Sequence, residues 1–188
     1  MKFITITFLL FISLTNAVTL ILWSDPDACS GSGTVCQNIP EETCCEDGKL
    51  YGSGEARDAP QGRTSVAQLF SRRNNKQCDV NLGPVKPIPV CIVSGLDQSV
   101  GGMAWEFQGS SKKRDEQLAI PTSSVIGDPA YSDGETIWVI SKEKMARENL
   151  KQPENKAELA AFFKAHADSI IPADKSIPSV QVNTTESK

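Results

Sequence analysis

The sequence predicts a mainly β, disulfide-stabilised N-terminal module, a small sandwich or barrel, followed by an α-containing C-terminal extension, which makes the whole chain α+β. Two observations lead to this prediction. All six cysteines lie between residues 29 and 91, among short β-prone runs separated by glycine- and proline-rich turns. Residues 142–166, by contrast, carry apolar side chains at helical spacing.

The first seventeen residues have the order of a cleavable secretory signal peptide. Lys2 provides a positive charge, residues 3–14 form an apolar run, and residues 15–17 offer small side chains for cleavage after Ala17. A membrane anchor would need about 20 apolar residues, and this run reaches that length only by crossing polar ones. We therefore expect a secreted, extracellular protein without a membrane anchor.

The cysteines predict three disulfides, because an even, clustered set behind a signal peptide is typical of secreted proteins. Zinc ligands usually occur as Cys-x2-Cys or with histidine at defined spacing, and the single histidine, His166, is far from the cluster. We expect no cofactor and no metal. Six cysteines allow 15 pairings, and excluding a bond between adjacent residues leaves twelve. The predicted disulfide residues are Cys29, Cys36, Cys44, Cys45, Cys78 and Cys91.

Short strands are expected throughout the β module, which we place at residues 18–108. Three prolines limit the approach to Cys91 to an edge strand or an extended arm. A polar linker, residues 109–118, follows the module. The predicted strands are residues 18–23, 49–53, 65–70, 89–94 and 102–107.

The C-terminal part, residues 119–171, is expected to contain a strand and two helices. The strand covers residues 135–140, and the helices cover residues 142–150 and 153–166. One apolar stripe should pack on the β module or on the Trp138 strand, although an amphipathic arm for a partner or a membrane is an alternative. Residues 172–188 are polar and without periodicity, which favours a disordered tail. The stripe consists of Leu159, Phe162, Phe163, His166 and Ile170.

The net charge of the chain limits the classes of partner that we expect it to bind. The chain has 19 basic and 23 acidic residues and a net charge of -4. Nucleic acids are bound by clustered lysine and arginine, and anionic membranes by polybasic segments, so we expect neither. An extracellular protein or a glycan remains as the partner.

The residues offer little for catalysis, and we predict no catalytic residue and no enzyme. His166 lies on the helical stripe, where a packing role is favoured over a general base, and no Gly-x-Ser-x-Gly elbow is present. Glycoside hydrolysis needs a pair of carboxylates, but the candidate pairs are interpreted as solvated surface groups. These pairs are Asp25 with Asp27, Glu41 with Glu42, and Asp97 with Glu106.

Two kinds of covalent modification are possible. Dibasic sequences end at Arg73 and Arg114, where a secretory-pathway protease could cut, although a solvated charged loop is the preferred interpretation. The one glycosylation sequon begins at Asn183.

A family resemblance rests on residues 29–36, 39–45, 50–53, 66–70 and 102–105, together with Cys78 and Cys91. These segments resemble the small cysteine-rich secreted proteins of filamentous fungi, many of which are regarded as effector candidates. Some members are similar to βγ-crystallin sandwiches or killer toxins, but residues 74–79 lack the serine or threonine ending of the crystallin calcium signature. No calcium is therefore expected.

The order of the cysteines also resembles that of knottins. That resemblance implies Cys29 with Cys45, Cys36 with Cys78, and Cys44 with Cys91, although the 45–78 interval is long for a knottin.

Three functional hypotheses follow. The first is a non-catalytic secreted interaction protein, effector-like or defence-like, that binds an extracellular partner through the disulfide-braced β surface. The second is a protease or hydrolase inhibitor that presents a braced loop. The third is a carbohydrate-binding module or carbohydrate-active enzyme that uses Trp23, Trp105 or Trp138 as a stacking platform.

Overall fold

The computed structural model describes residues 18–94, 99–109 and 117–182. Within these ranges the chain forms thirteen β-strands in two sheets and two short helices, which confirms the predicted mainly β fold with helices near the C-terminus. The eight-stranded sheet contains, in spatial order, β12 (Ser169–Pro172), β11 (Thr136–Val139), β10 (Asp128–Ser132), β2 (Gly31–Ile39), β1 (Val18–Trp23), β4 (Ser53–Arg57), β7 (Val90–Val93) and β13 (Ser179–Gln181). The five-stranded sheet contains β6 (Lys76–Pro87), β5 (Ser65–Arg73), β8 (Val100–Phe107), β3 (Thr43–Glu46) and β9 (Ser123–Ile126).

Strand β1 lies inside the eight-stranded sheet and is buried on both faces. Leu20 and Leu22 belong to the core between the two sheets, whereas Ile21 and Trp23 belong to a second core on the opposite face. Successive side chains of a strand point to opposite faces, so a continuous apolar run such as this one fits a strand that has a core on each side.

The five-stranded sheet covers one face of the eight-stranded sheet and completes a sandwich. Leu69, Met103 and Trp105 enter this core and are fully buried. The indole Nε1 of Trp105 donates a hydrogen bond to the carbonyl of Ile39 at 2.8 Å. Each such apolar side chain stabilises the fold by about 1.5–3 kcal/mol relative to exposure.

The eight-stranded sheet is strongly curled, since its two edge strands, β12 and β13, are joined by only six residues. Seven strand spacings in a flat sheet would separate the edges by about 34 Å. The connection from Pro172 to Ser179 spans at most about 25 Å. The sheet therefore forms a half-barrel, and the second core, with Ile21 and Trp23, lies on its concave face.

The two helices, α1 (Lys142–Arg147) and α2 (Lys156–His166), follow β11. Leu159 and Phe163 of α2 are buried against Ile140, with Tyr131 and Trp138 beside them. The apolar stripe therefore packs on the strand that carries Trp138, as the sequence predicts. Helix α1 begins at Lys142 as predicted but ends at Arg147, whereas α2 ends at His166 as predicted but begins only at Lys156. Asn155 sets that start because its side chain accepts a hydrogen bond from the Ala157 amide.

Ile170 departs from the predicted stripe. It lies on β12 rather than α2, and it is 64% exposed. The helix ends at His166, after which the chain turns into a strand paired with β11.

The segments before and after residue 118 share both sheets. Strand β10 pairs with β2, and β9 pairs with β3. The C-terminal end also differs from the expected disorder, because β13 pairs with β7 and Val182 is buried in the sandwich core. Only a short alternation of apolar residues marks this strand in the sequence, which explains why the polar composition predicted a tail.

Some of the observed strands lie outside the ranges that the sequence predicts as strands. Strand β2, from Gly31 to Ile39, is not among the strands predicted from the sequence. Gly33 is needed there because a Cβ would lie 2.2 Å from the Leu22 carbonyl and 2.6 Å from the Trp23 ring. Strand β6, with its prolines, lies at the edge of its sheet, as expected.

The six cysteines form three disulfides, which confirms that part of the prediction. The pairs are Cys29–Cys91, Cys36–Cys45 and Cys44–Cys78. The knottin pairing is therefore wrong. Adjacent residues on a strand point to opposite faces, so Cys45 faces β2 and the sandwich core while Cys44 faces the outer side of its sheet.

The burial of Val182 gives a test of the docked C-terminal strand. Val182→Ala should lower the free energy of unfolding by about 2 kcal/mol, because the side chain is only 3% exposed in the core. Val125→Ala is the matched control, since Val125 is 39% exposed. Urea unfolding of both variants measures the difference, and equal stabilities would contradict the docking of this segment.

Candidate functional site

A buried ion pair lies on the concave face of the half-barrel. Glu55 and Arg57 alternate along β4 with Gly54 and Ala56, so the two charged side chains share a face while Ala56 enters the sandwich core. Glu55 is 4% exposed and Arg57 is 7% exposed. Charged side chains are seldom buried without a partner, which makes this pair the most unusual feature of the described surface and core.

Every oxygen of the Glu55 carboxylate has a donor. The Arg57 Nη2 donates to Oε1, and the Trp23 Nε1 donates to Oε2 at 3.3 Å. Burial raises the pKa of Glu55 above its usual value of 4.5, although Arg57 and Trp23 act in the opposite direction by stabilising the charged form. The carboxylate is therefore fixed in position, while burial partly destabilises its charged form.

Arg57 reaches across the concave face to the opposite edge of the sheet. Its Nη1 donates to the carbonyl of Pro172 on β12 at 3.0 Å. Its Nε is buried and has no hydrogen-bond partner among the described residues. An unpaired buried donor costs about 1–3 kcal/mol, and this Nε has almost no accessible surface, so the cost is part of burying the ion pair.

Residues 173–178 cross the open side of the half-barrel, and we call them the strap. At one end the Ala173 amide donates to the Glu135 carbonyl at 3.0 Å, and at the other the Cys91 amide donates to the Pro178 carbonyl at 3.0 Å. The Cys29–Cys91 disulfide fixes the β7 side of this arrangement. The strap is thus anchored to both edges of the curled sheet.

Two cavities have Arg57 and the strap residues Ala173 and Asp174 in their walls. The smaller, about 130 Å³, also contains Glu55 and the Cys29–Cys91 disulfide. The larger, about 620 Å³, contains Asp58 and Asp174. Small-molecule sites usually have volumes of about 300–1,000 Å³, so the larger cavity has the size of a ligand site. We refer to it as the strap cleft.

Asp174 supplies a charged acceptor at the rim of the strap cleft. The Ser176 hydroxyl and amide donate to its Oδ1 at 2.6 and 2.9 Å. These hydrogen bonds, followed by the positive charge of Arg57, lower the pKa of Asp174 below its usual value. Asp174 is therefore ionised across the pH range in which Glu55 titrates.

The acids singled out from the sequence do not meet in this cleft. The Oδ1 of Asp25 accepts a hydrogen bond from the Asp27 amide at 3.0 Å, and Glu41 and Glu42 occupy the turn between β2 and β3. Glu106 lies on β8 in the other sheet. Asp97 is outside the described residues.

The predicted aromatic and histidine positions lie elsewhere. Trp23 and Trp105 are fully buried, and Trp138 is half-buried, with the Lys164 Nζ 4.6 Å from the centre of its ring. His166 is half-buried, with its ring 5.0 Å from that of Phe162. Helix α2 covers the convex face of the sheet, so His166 and the strap cleft lie on opposite sides.

The modification sites are only partly within the described residues. Arg73 ends β5, pairs with Lys76 across the Asn74-Asn75 turn, and forms an ion pair with Asp79 at 2.8 Å. Arg114, Asn183 and the predicted signal peptide lie outside the described residues, so those assignments stay predictions. In the described part of the chain, no helix is long and apolar enough to cross a membrane.

Sequence reasoning missed Glu55 and Arg57. The predicted strand ends at residue 53, whereas β4 runs from Ser53 to Arg57. The available signal was the alternation of two charged residues with small ones, which usually indicates a strand with one solvated face. The strap, which buries that face, comes from residues more than a hundred positions later.

These features define a disulfide-braced β protein with a strapped half-barrel and an arginine-centred cleft. The chain belongs to the family ARB_05566_N, described as an N-terminal domain, whose model matches residues 19–137. The match contains all three disulfides and the Glu55–Arg57 pair, and it ends before the helices and the strap. Neither the curated proteins nor the solved structures include a match.

The ion pair gives a test through pH. Because the pKa of Glu55 is higher in the folded protein, the folded state holds more protons than the unfolded state above pH 4.5, and stability falls with rising pH until the folded pKa is passed. The lowered pKa of Asp174 has the opposite effect, because its contribution is lost as pH falls below 3.8. The melting temperature, measured from pH 3.8 to neutrality, should therefore be highest near the acidic end of that range.

The variant Glu55→Gln identifies the source of that profile. It should abolish the decline in melting temperature above pH 4.5, although it is less stable throughout because Arg57 loses its partner. Asp133→Asn, a change at an exposed acid, is the control and should keep the decline. A Glu55→Gln profile parallel to that of the unchanged protein would refute the assignment.

Proposed function

We propose that this chain is a secreted, non-catalytic interaction protein, effector-like or defence-like, that binds an extracellular partner in the strap cleft. The carrying observation is Arg57, a buried arginine that is fixed by its contacts to Glu55 and to the Pro172 carbonyl. Its position at the wall of a 620 Å³ cavity makes it the natural centre of recognition.

The rigid frame around Arg57 supports a binding role. Strand β4 lies between β1 and β7, the Cys29–Cys91 disulfide braces β7, and the strap is hydrogen-bonded at both ends. A preorganised site loses little conformational entropy when a partner binds. The braced frame supports the first hypothesis, in which a disulfide-braced β surface binds the partner.

The state of Glu55 favours binding over proton transfer. A general acid must release its proton to the substrate, whereas both oxygens of this carboxylate accept hydrogen bonds from Arg57 and Trp23. His166, the single histidine, is on the other side of the sheet. The geometry thus presents a fixed guanidinium rather than an exchanging acid and base.

Secretion is supported by the three disulfides, because such bonds persist in oxidising compartments. The order of charge, apolar run and small residues in residues 1–17 agrees with it. The resemblance to cysteine-rich fungal secreted proteins supports the effector-like or defence-like role.

Filling the cleft tests the proposed function. Ala59 lines the strap cleft, so Ala59→Trp should block it while leaving the ion pair and the strap in place. Ala165→Trp, on the exposed face of α2, is the matched control. The proteins are presented to immobilised cellulose, chitin, mannan and β-glucan, and to secreted serine and cysteine proteases, and binding is measured by surface plasmon resonance.

We expect at least one of these probes to bind the unchanged protein and Ala165→Trp with equal affinity. The same probe should bind Ala59→Trp at least about ten-fold more weakly, a loss of about 1.4 kcal/mol in binding free energy. An affinity that Ala59→Trp leaves unchanged, or no binding to any probe, would contradict the proposal. Cleavage of a polysaccharide that disappears in Glu55→Gln would instead show an enzyme.

A further inference from the structure

Strand β9 forms one edge of the five-stranded sheet, and both of its faces are exposed. Among the described residues it pairs only with β3. All four of its residues, Ser123–Ile126, are exposed, whereas every other strand in the described part of the chain has at least one buried or half-buried residue. Val125 is 39% exposed and Ile126 is 62% exposed. The described structure therefore leaves this edge uncovered.

The backbone of β9 has hydrogen-bonding groups that point away from the sheet. The Gly127 amide donates to the Glu46 carbonyl at 2.9 Å, so Gly127 and, two residues earlier, Val125 direct their backbone groups toward β3. Because alternate residues of a strand bond to opposite sides, the N–H and C=O groups of Ser124 and Ile126 point toward the open edge. Within the described residues, these outer groups have no hydrogen-bond partner.

Two of the other edge strands carry protective features that β9 lacks. Natural proteins protect sheet edges with lysine, proline or a bulge. Strand β12 ends in Pro172, and β6 contains two lysines and two prolines. Strand β9 reads Ser-Ser-Val-Ile and contains neither residue type. An exposed and unprotected edge is the kind of surface to which an extended peptide adds as a further strand.

A second cavity of about 620 Å³ lies on the outer face of the sheet next to β9. Cys44 and Glu46, which share that face of β3, line it together with Ser124 and Ile120. Ile120 is 43% exposed. Long basic side chains pack their apolar stems on such surfaces while the charged end reaches a partner. This face therefore offers an apolar surface for a stem, with a carboxylate beside it.

Unpaired carboxylates flank the edge. Glu41 and Glu42 precede β3 and Glu46 ends it, and none of the three forms an ion pair within the described residues. Strand β3 runs parallel to β9, so these carboxylates lie near both ends of the edge. Lys76, in the cavity wall, offsets one of these charges. Two strand spacings, about 10 Å, separate β3 from an added strand, a distance that a glutamate and a lysine side chain bridge together.

The same charges disfavour a second copy of this chain as the added strand. Pairing β9 with another β9 would bring a second set of the same carboxylates to the interface, and like charges across an interface are unfavourable. Strand β9 itself contains no basic residue that would compensate them. A strand from another protein that carries basic residues fits the edge better.

We infer that β9 is a docking edge for an extended segment of a partner protein in which apolar residues alternate with lysine or arginine. The segment adds to the sheet as a further strand, with its backbone hydrogen-bonded to Ser124 and Ile126. Its apolar residues pack beside Val125, which shares the inner face with Cys45. Its basic residues cross Ile126 on the outer face and reach Glu46, the residue with which Ile126 pairs. This edge lies in the five-stranded sheet and is separate from the strap cleft.

Amide hydrogen exchange of the full chain, followed by NMR, tests this inference. The probe is an acetylated hexapeptide in which valine and lysine alternate. It should bind in a saturable way and slow the exchange of the Ser124 and Ile126 amides at least about ten-fold, because those N–H groups become hydrogen-bonded. Two control peptides should have no such effect at the same concentration. In one, glutamate replaces every lysine, and in the other all backbone amides are N-methylated and cannot donate.

Ser124→Pro and Ser124→Ala form a matched pair of variants. Proline removes an outward N–H but leaves the bonds to β3, as proline does at the open side of edge strands, and peptide affinity should fall roughly ten-fold. Alanine keeps the N–H and should bind like the unchanged protein. Dispersed spectra show whether the variants are folded. If Ser124→Pro does not fold, the N-methylated peptide decides the question of strand pairing.

The assigned charge is tested by Glu46→Gln. It should weaken binding of the valine–lysine peptide roughly two- to five-fold, the effect of one exposed ion pair. Glu154→Gln removes an exposed charge elsewhere and should leave the affinity unchanged.

The remaining outcomes overturn the inference. Equal protection by the N-methylated peptide would exclude strand pairing, and equal binding of the glutamate peptide would exclude the assigned charge. No binding of the valine–lysine peptide, or equal affinity for folded Ser124→Pro and Ser124→Ala, would also refute it. Slow exchange at Ser124 and Ile126 without peptide, together with sedimentation as a dimer, would identify a second copy as the occupant. Ala59→Trp should leave peptide binding unchanged, so a failure at β9 does not affect the proposed function.

Discussion

The six-residue connection between β12 and β13 is the constraint on which the rest of the structure depends. Those strands are the two edges of the eight-stranded sheet, and a flat sheet would hold them farther apart than six residues can span. The sheet must curl, and the curl turns one of its faces into a lumen. The second apolar core and the Glu55–Arg57 pair occupy that lumen.

The curl also explains how a buried ion pair can exist here. Removing two charges from water is costly, and the attraction between them compensates only when further hydrogen bonds satisfy the remaining donors and acceptors. Trp23 supplies one such bond and the Pro172 carbonyl another. The second partner is available only because curling brings β12 toward β4. The Nε of Arg57 is buried and is not satisfied by the same geometry among the described residues.

The sequence predicts the parts of the fold that depend on local patterns. The apolar run of β1 and the helical stripe of Leu159 and Phe163 are found where the periodicity indicates them. Prediction from the sequence is wrong where contacts with a segment distant in the chain determine the local structure. Strand β2 is missing from the predicted strands although it contains Gly33, which allows Trp23 to pack against the neighbouring strand. The cysteine pairing likewise depends on which face each strand turns toward the core, which the order of cysteines does not encode.

The candidate site shows the same limit. The sequence indicates a disulfide-braced β surface, but the alternation of Glu55 and Arg57 with small residues is typical of a solvated face. Only the strap, at residues 173–178, converts that face into a buried one. Short apolar alternation around Val180 and Val182 is too weak a signal to outweigh a polar composition, although Val182 fits closely against Gly83, where a Cβ would be 1.9 Å from its side chain.

The extent of the family match bears on how the site is assembled. The matched region, residues 19–137, contains Arg57 and Glu55 but ends inside β11. The partners that complete the cleft, the Pro172 carbonyl and Asp174, lie beyond it. An unpaired strand edge readily accepts another strand, and here β12 and β13 fill both edges of the half-barrel. In this chain the matched region therefore supplies Arg57, while the C-terminal segment determines how its guanidinium is covered and which acceptors surround it.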